Sequence, residues 1–394
     1  FSKGIAQEWL VQDEAAFIWL QQQVGYDKLQ MGGQGGIISN VMSVAGIPAV
    51  YVHTASHDKL QAGLFLKNDS LMASDGDRLK PAHTISRKGD ISLIHWIFEF
   101  KKGQTLEVNG ETLTCPKSNR FIATFDPLNF DLHLDQAFSD SLKSKELGLD
   151  VVLMSGFHML SEKLSDGNSG KERLNDVWNE VKAWKDAHPK VMVHLEFAST
   201  QNLNIRRSIA ETIAPEVESI GLNEQELIDI LEIIGLGALA EKCRVTMNAP
   251  ILTDGTIEVF HSFKPYRCQL HMFGLYLTIT QESDLNKLIA MREGMALAAT
   301  LAATKAGTGT LEDKENLLHG HGQSIWGPAV EEMKALAKHL VPLGVSPQEF
   351  QKEGIAILPE YSLVALPTIL VEKPVSLVGM GDTISSLSLV GSLV

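Results

Sequence analysis

The carboxyl-terminal two-thirds of the chain alternate short apolar runs with amphipathic stretches. The apolar runs predict strands at residues 150–155, 190–197 and 244–248. In the stretches between them, apolar residues recur at helical spacing and predict helices at 172–187 and 225–234. This alternation is typical of βαβ units, so we expect an α/β fold with a mostly parallel central sheet.

The segment between residues 65 and 125 has a different pattern. Residues 91–100 and 121–125 are rich in aromatic and β-branched side chains, which favour strands. Turn signals stand at 101–103 and 108–110, and no long helical pattern separates the strands. The pattern indicates a small β-rich domain attached to the α/β core.

The two patterns predict two domains. The small β-rich domain comprises residues 1–30 and 58–125, and the large α/β domain comprises 31–57 and 126–394. A cleft between two domains is a frequent place for a ligand site, so we expect the functional residues there.

Composition narrows the function classes. The chain has 394 residues, and 34 Lys and Arg against 48 Asp and Glu give a net charge of −14. This balance argues against nonspecific binding to nucleic acid, which needs clustered basic side chains, and gives no reason to expect a membrane partner. Three cysteines without a CxxC pair favour a reducing, cytoplasmic setting. No apolar stretch reaches the ~18–20 residues that cross a bilayer, and 295–303 is predicted to be a buried helix.

The first candidate for chemistry is the glycine-rich sequence Gly379-Met380-Gly381-Asp382, which follows a predicted strand at 375–378 and opens a helix. Backbone N–H groups at a helix start can bind an anion, and Asp382 beside that anion can act as a base. The alternative is that Asp382 only caps the helix, which Asp does well. P-loop, dinucleotide-binding, HExxH and GxSxG motifs are absent from the sequence.

Two glutamates are the next candidates. Glu196 stands at the end of an apolar strand, where ligand sites of parallel sheets lie, although an ion pair with Arg206 or Arg207 is the alternative. Glu226 follows Asn223 in an NxxE sequence that opens a helix. A capping box explains that spacing well, and capping is compatible with ligand binding.

A second glycine-rich loop contains Gly32, Gly33 and Gln34 and precedes an apolar helix that extends through Ala45. Glycine allows a ligand to approach the backbone closely, and the Gln34 amide offers a donor and an acceptor to hydroxyl groups. The alternative is a tight loop with no ligand.

Taken in order, these elements resemble the archaeal-type ADP-dependent sugar kinases, the glucokinase and phosphofructokinase family of the ribokinase-like fold. The resemblance implies an αβα sandwich with a smaller β-rich lid. It also implies a glycolytic reaction that transfers the β-phosphoryl group of ADP to a sugar hydroxyl and leaves AMP. The resemblance covers nearly the whole chain and is carried by KGIAQE (3–8), MGGQGGIISN (31–40), IHWIFEF (94–100), SNRFI (118–122), VHLEFAS (193–199), GLNEQEL (221–227) and KPVSLVGMGDTISS (373–386).

The resemblance also implies roles for individual residues. Asp382 matches the family's catalytic base, and the backbone amides of 379–381 match its anion hole. Glu196 and Glu226 match motifs that hold Mg²⁺, through waters because this cation gives up its hydration shell reluctantly. The expected small-molecule partners are therefore ADP and a sugar, with Mg²⁺ as cofactor and no obligate protein partner.

On the sugar side, Glu8 and His95 match positions at which glucokinases of the family contact glucose. We expect the Gly32–Gln34 loop to bind substrate as well. A carboxylate at Glu8 suits a neutral sugar and repels a sugar phosphate unless basic groups offset it. The 6-hydroxyl of glucose is therefore the expected acceptor. Without a ligand, Glu8 would be a solvated helix residue and His95 a half-buried strand residue bonded to backbone.

Three alternatives stay open from the sequence. The acceptor can be fructose 6-phosphate, alone or beside glucose. The chain can be a non-catalytic sugar-binding protein on a kinase fold, or a glycosidase with paired carboxylates, which leaves the anion site unexplained. The family's first core strand carries an Asn/Asp element that helps hold the sugar and is expected before Phe1. The sequence has no match to it, so either the chain begins after this element or the protein lacks it, and the second case argues against tight sugar binding.

Overall fold

The computed structural model describes residues 1–5, 7–197, 200, 202–311, 315, 317, 324–375 and 379–393. Strands dominate its amino-terminal third. The elements there are β1 (Gln7–Leu10), α1 (Glu14–Gln23), α2 (Gln34–Ala45), β2 (Val50–Tyr51), α3 (Lys59–Ala62), β3 (Leu71–Ser74), β4 (Leu79–Pro81), β5 (Ile94–Phe100), β6 (Thr105–Val108), β7 (Glu111–Thr114), β8 (Asn119–Phe125) and α4 (Pro127–Phe130).

Helices and strands alternate along the rest of the chain. These elements are α5 (Gln136–Leu142), β9 (Val151–Met154), α6 (Gly170–Ala187), β10 (Met192–Glu196), α7 (Leu203–Thr212), β11 (Ser219–Leu222), α8 (Glu224–Ile233), α9 (Gly237–Thr246), α10 (Ala249–Phe263), β12 (Arg267–His271), β13 (Leu275–Thr280), α11 (Leu285–Thr308), α12 (Gly327–His339), α13 (Pro347–Glu353), β14 (Ile355–Ile357), β15 (Ser362–Pro367) and α14 (Met380–Gly391). In the described part of the chain, no helix combines the length and apolar character needed to cross a membrane.

The central sheet has seven strands in the order β14-β15-β13-β12-β11-β10-β9. Strands β9 to β12 pair in parallel, as the alternating pattern predicted. The other three strands pair antiparallel. Only residues 272–274 separate β12 from β13, with Gly274 at φ 119°, so the connection is a hairpin and has no room for a helical crossover.

Helices cover both faces of this sheet, as expected for an αβα sandwich. The large apolar core lies between one face and the helices α5 to α10, α12 and α13. Helices α2, α11 and α14 cover the other face with smaller apolar clusters. Polar side chains, among them His194, Arg267 and Gln269, are buried on that second face. The candidate site residues of α2 and α14 lie in the layer on this second face.

Most predicted helices and strands of the large domain are present, but the strand predicted at 244–248 is wrong. Those residues end helix α9, and Met247 terminates it with φ 44°. Ala240 and Cys243 are fully buried at helical spacing, whereas Val245 is 75% exposed. Packing of that helical face outweighs the strand preference of Val245 and Thr246. Residues 376–378 of the strand predicted at 375–378 lie outside the described residues.

The β-rich segment forms a mixed sheet in the order β1-β8-β5. β8 pairs parallel with β1 and antiparallel with β5. Strands β6 and β7 form a hairpin at the turn predicted for 108–110, where Asn109 has φ 52° and Gly110 has φ 82°. A separate sheet consists of β2, β3 and β4. Its strands come from both sides of the domain boundary predicted between residues 57 and 58. The two-domain division stays a prediction.

Candidate active site

A cleft of about 2260 Å³ lies between the β1-β8-β5 sheet and the layer that contains α2 and α14. Its walls contain most of the predicted site residues, although these come from distant parts of the sequence. The predicted residues that line it are Glu8, Gly32, Gly33, Gln34, His95, Gly379 and Asp382. Met380 and Gly381 lie between Gly379 and Asp382, in the first turn of α14.

The glycine-rich turn begins α14. Gly379 precedes the helix with φ 67°, a conformation that glycine adopts without strain. A Cβ atom at this position would lie 2.8 Å from Ile37 and 2.8 Å from the Lys305 ammonium, so close packing also requires glycine. The backbone N–H groups of a first helical turn have no partners within the helix. Such groups can bind an anion, and the helix dipole favours negative charge there.

Asp382 is the third residue of α14 and does not cap it. The helix has no side-chain cap, so the capping alternative is wrong. The Gln34 side-chain amide donates a 2.9 Å hydrogen bond to Asp382 Oδ1 instead. Burial raises the pKa of the Asp382 carboxyl, while Gln34, Lys305 and His158 act to lower it. A carboxylate held in this way beside an anion site is suited to accept a proton.

Gln34 begins α2 directly after Gly33, whose φ is 68°. Its amide nitrogen contacts Asp382, whereas its buried Oε1 atom has no hydrogen-bond partner in the described structure. Buried acceptors are rarely left without a donor, so this oxygen is available to a ligand hydroxyl or a water. Gln34 therefore presents the polar atoms that the sequence analysis expected to contact a ligand.

The β1-β8-β5 sheet contributes a group that we call the acidic corner: Glu8, His95, Thr124 and Asp126. The Thr124 hydroxyl donates a 2.6 Å hydrogen bond to Glu8 Oε1. His95 pairs with Thr124 across the strands, and its Nε2 atom lies 3.4 Å from Asp126 Oδ2. Glu8 belongs to strand β1, so the expectation of a solvated helix residue is wrong. His95 is half-buried as expected, but its partner is a carboxylate.

His158 lies close enough to the acidic corner and to Asp382 to feel the charges of both. The sequence analysis missed this residue. Burial lowers the pKa of its imidazole, and the charges of Glu8, Asp126 and Asp382 act to raise it. The buried Nδ1 atom has no hydrogen-bond partner among the described residues. The sequence signal was its place just after Gly156, at the carboxyl end of strand β9.

Glu196 ends strand β10 and is 4% exposed. Its carboxylate accepts a hydrogen bond from Ser385 and lies 3.1 Å from His194 Nε2 and 3.5 Å from His271 Nε2. Burial raises the pKa of Glu196 to about 7, against the opposing effects of His271 and Ser385. Arg206 pairs with Asp229 at 3.0 Å and Arg207 is exposed, so the expected partners of a structural ion pair are wrong, and the two histidines take their place.

Glycine is required beside this carboxylate. A Cβ atom at Gly221 on the neighbouring strand β11 would overlap the Glu196 carboxylate and lie 2.8 Å from Ser385 Oγ. The bare backbone of β11 therefore makes the room in which the buried carboxylate lies.

Glu226 is the third residue of α8 and forms the predicted capping box with Asn223. The Asn223 N–H donates to Glu226 Oε2 at 2.9 Å, and the Glu226 N–H donates to Asn223 Oδ1 at 3.0 Å. Glu226 is 5% exposed and lies shortly after strand β11. Glu196 lies at the end of the neighbouring strand β10. Two buried carboxylates at the ends of neighbouring parallel strands are oxygen donors of the type that hard divalent cations prefer.

Comparison with known proteins decides the family. A family model described as the ADP-specific phosphofructokinase/glucokinase conserved region matches residues 1–391. The chain belongs to this family. The ADP-dependent glucose/glucosamine kinase of Pyrococcus abyssi is 32% identical over 389 residues, a match that covers 98% of this chain and 80% of the relative. The ADP-specific phosphofructokinase of Methanosarcina acetivorans is 27% identical over 383 residues, covering 95% of this chain and 78% of the relative.

Solved structures of ADP-dependent kinases have the same fold. An ADP-dependent kinase in complex with fructose 6-phosphate and ADPβS superposes with a TM-score of 0.85 at 27% identity, over 99% of this chain and 86% of the other. A reconstructed last common ancestor of ADP-dependent phosphofructokinases from Methanosarcinales gives 0.84 at 28% identity, over 99% and 81% of the two chains. These matches confirm the predicted ribokinase-like fold and show that the chain is an ADP-dependent sugar kinase, a phosphotransferase with ADP as donor.

Further charged or titratable residues lie near the predicted site residues. Sequence reasoning missed His158, Lys305 and Asp126, which lie within or beside the cleft that contains the predicted residues. None of the three belongs to a motif with a known spacing, and Lys305 lies inside an alanine-rich helix. Only the fold brings them near Asp382 and Glu8.

Proposed function

We propose that this ADP-dependent sugar kinase transfers the β-phosphoryl group of ADP to the 6-hydroxyl of D-glucose and releases AMP and glucose 6-phosphate. The acidic corner carries the proposal. Its carboxylates Glu8 and Asp126 accept hydrogen bonds from the hydroxyls of a neutral sugar, whereas their charge repels a sugar phosphate. The name of the Pyrococcus abyssi relative, a glucose/glucosamine kinase, supports this assignment.

Asp382 is the base in this proposal. It accepts the proton of the sugar hydroxyl as the oxygen attacks the β-phosphorus, and the bond from that phosphorus to the bridging oxygen of AMP breaks. Gln34 keeps the carboxylate oriented through its 2.9 Å hydrogen bond. The backbone amides of 379–381 stabilise the charge on the transferred group. The β1-β8-β5 sheet forms the opposite wall, where it would keep water, a competing acceptor, from the phosphoryl group.

Mg²⁺ is the proposed cofactor, and Glu196 and Glu226 would hold it. Among the residues that the structure describes, no three His, Cys, Asp or Glu side chains are arranged to bind a metal ion directly. The two carboxylates therefore fit a cation that keeps most of its waters and binds the substrate phosphates. When bound, Mg²⁺ neutralises phosphate charge during the transfer.

Fructose 6-phosphate is the second candidate acceptor. Several relatives are named ADP-specific phosphofructokinases, and one similar structure contains fructose 6-phosphate. Arg120 and Lys28 line the same cleft and could contact a phosphate. Family membership argues against a non-catalytic binding protein and a glycosidase. We also propose a cytoplasmic setting, since all three cysteines are unpaired thiols.

The test is the variant Glu8→Ala, with the exposed Glu111→Ala as a matched control. Removal of a carboxylate that binds a sugar hydroxyl should raise the KM for glucose roughly 5- to 150-fold, equivalent to ~1–3 kcal/mol. Glu111→Ala should leave the KM unchanged, because Glu111 is exposed in the β6–β7 hairpin. An unchanged glucose KM in Glu8→Ala would refute the role of the acidic corner.

A further inference from the structure

Lys305 is a buried cation on the helix that packs against α14. It lies in the last turn of α11 and is only 8% exposed. Its Nζ atom donates hydrogen bonds to the Gly379 carbonyl at 3.2 Å and to the Thr383 hydroxyl at 3.3 Å. Both partners belong to the turn that presents the anion site and Asp382.

The contacts of Lys305 leave its charge unbalanced. Burying an ammonium without an opposite charge is costly. Within the described part of the chain, no carboxylate lies within ion-pair distance of its Nζ atom, and both hydrogen-bond partners are neutral oxygens. An ammonium has three donors, and these contacts use two of them. A group placed in this way has a purpose beyond holding two helices together.

The charge of Lys305 acts on Asp382. Lys305 lowers the pKa of Asp382, and Asp382 raises the pKa of Lys305, against a desolvation effect that lowers it to about 8. The other groups that face Asp382 are the neutral Gln34 amide from α2, the buried imidazole of His158 and the Glu196 carboxyl from β10. Among these groups around Asp382, Lys305 supplies the positive charge at neutral pH.

We propose that Lys305 is a positioning residue of the phosphoryl-transfer site, whose ammonium holds the Gly379 turn in place and puts a positive charge beside Asp382, the neighbour of its partner Thr383. The same ammonium adds positive charge behind the backbone amides that receive the phosphoryl group. The inference rests on the proposed role of Asp382 as base. It does not depend on which sugar is the acceptor.

The experiment compares Lys305→Met and Lys305→Gln, which lose the charge, with Lys305→Arg, which keeps it. Lys287→Met is the control, since Lys287 lies on the same helix and its side chain is 68% exposed. The readouts are the pH profile of kcat/KM, the melting temperature, and calorimetric binding of ADP without sugar. Differences between the neutral Lys305 variants and the Arg variant or the Lys287 control report on the charge of Lys305.

Loss of the charge should raise the pKa of Asp382 further. We expect the acid limb of kcat/KM to move upward by about one pH unit in the Met and Gln variants, a tenfold loss at a pH on that limb. ADP binding should weaken in the same two variants. The Arg variant and the Lys287 control should keep the wild-type limb.

An acid limb that stays in place in both neutral variants would overturn the inference, even if their melting temperatures fall, because a purely structural lysine lowers stability alone. Asp382→Asn distinguishes this outcome from failure of the proposed function. If the residual activity of Asp382→Asn keeps the same acid limb, Asp382 is not the titrating base and its assignment fails first.

Discussion

The carboxyl groups of Asp382 and Glu196 have different neighbouring residues. Asp382 contacts a neutral amide, Gln34, and feels the charge of Lys305. Glu196 is enclosed by His194, His271 and Ser385. Burial raises the pKa of both groups, but Asp382 remains at the wall of the cleft while Glu196 lies behind it. We therefore propose that Asp382 accepts the proton and that Glu196 supports a cation.

Asp382→Asn tests this assignment at the residue scale. The substitution is nearly isosteric, and α14 has no side-chain cap to lose, so the melting temperature should change little. Turnover should fall ~10²–10⁴-fold, the usual contribution of a general base. The exposed Asp77→Asn serves as control. Turnover above about a tenth of wild type would show that another group takes the proton.

At the scale of elements, short apolar runs predicted the strands β9 and β10, and apolar residues at helical spacing predicted the helices α6 and α8. The apolar pattern failed for α9, where tertiary packing of two small residues decided the structure. The sequence singled out candidate site residues where a short motif begins or ends an element, as at Glu196 and Asp382. His158 and Lys305 could not be predicted, since their roles arise only from contacts between distant elements.

The ends of β10 and β11 lead to a second test. Glu196→Gln and Glu226→Gln should each raise the Mg²⁺ concentration needed for half-maximal rate, by ~10–100-fold, as for groups that support a metal site. Glu226→Gln keeps part of the capping box, because Gln can also accept from the Asn223 N–H. Lower melting temperatures with an unchanged Mg²⁺ requirement would mean that both glutamates are structural only.

The whole molecule joins two sheets with different tasks. In the proposed mechanism, the layer of α2, α11 and α14 on the central sheet supplies the base and the anion site. The β1-β8-β5 sheet supplies the acidic corner across a cleft of about 2260 Å³. Glu8 and Asp382 lie near opposite ends of the sequence, and His158 feels the charges of both. The choice of acceptor is therefore a property of how the sheets face each other.

The most direct test of the account is the rate of AMP release from ADP by the unmodified protein, with glucose, with fructose 6-phosphate and with no sugar. We predict sugar-dependent AMP release with a higher kcat/KM for glucose, because the acidic corner favours a neutral acceptor. The enzyme with no sugar should release little AMP. A higher kcat/KM for fructose 6-phosphate would contradict the account of the acidic corner and assign the chain to the phosphofructokinases.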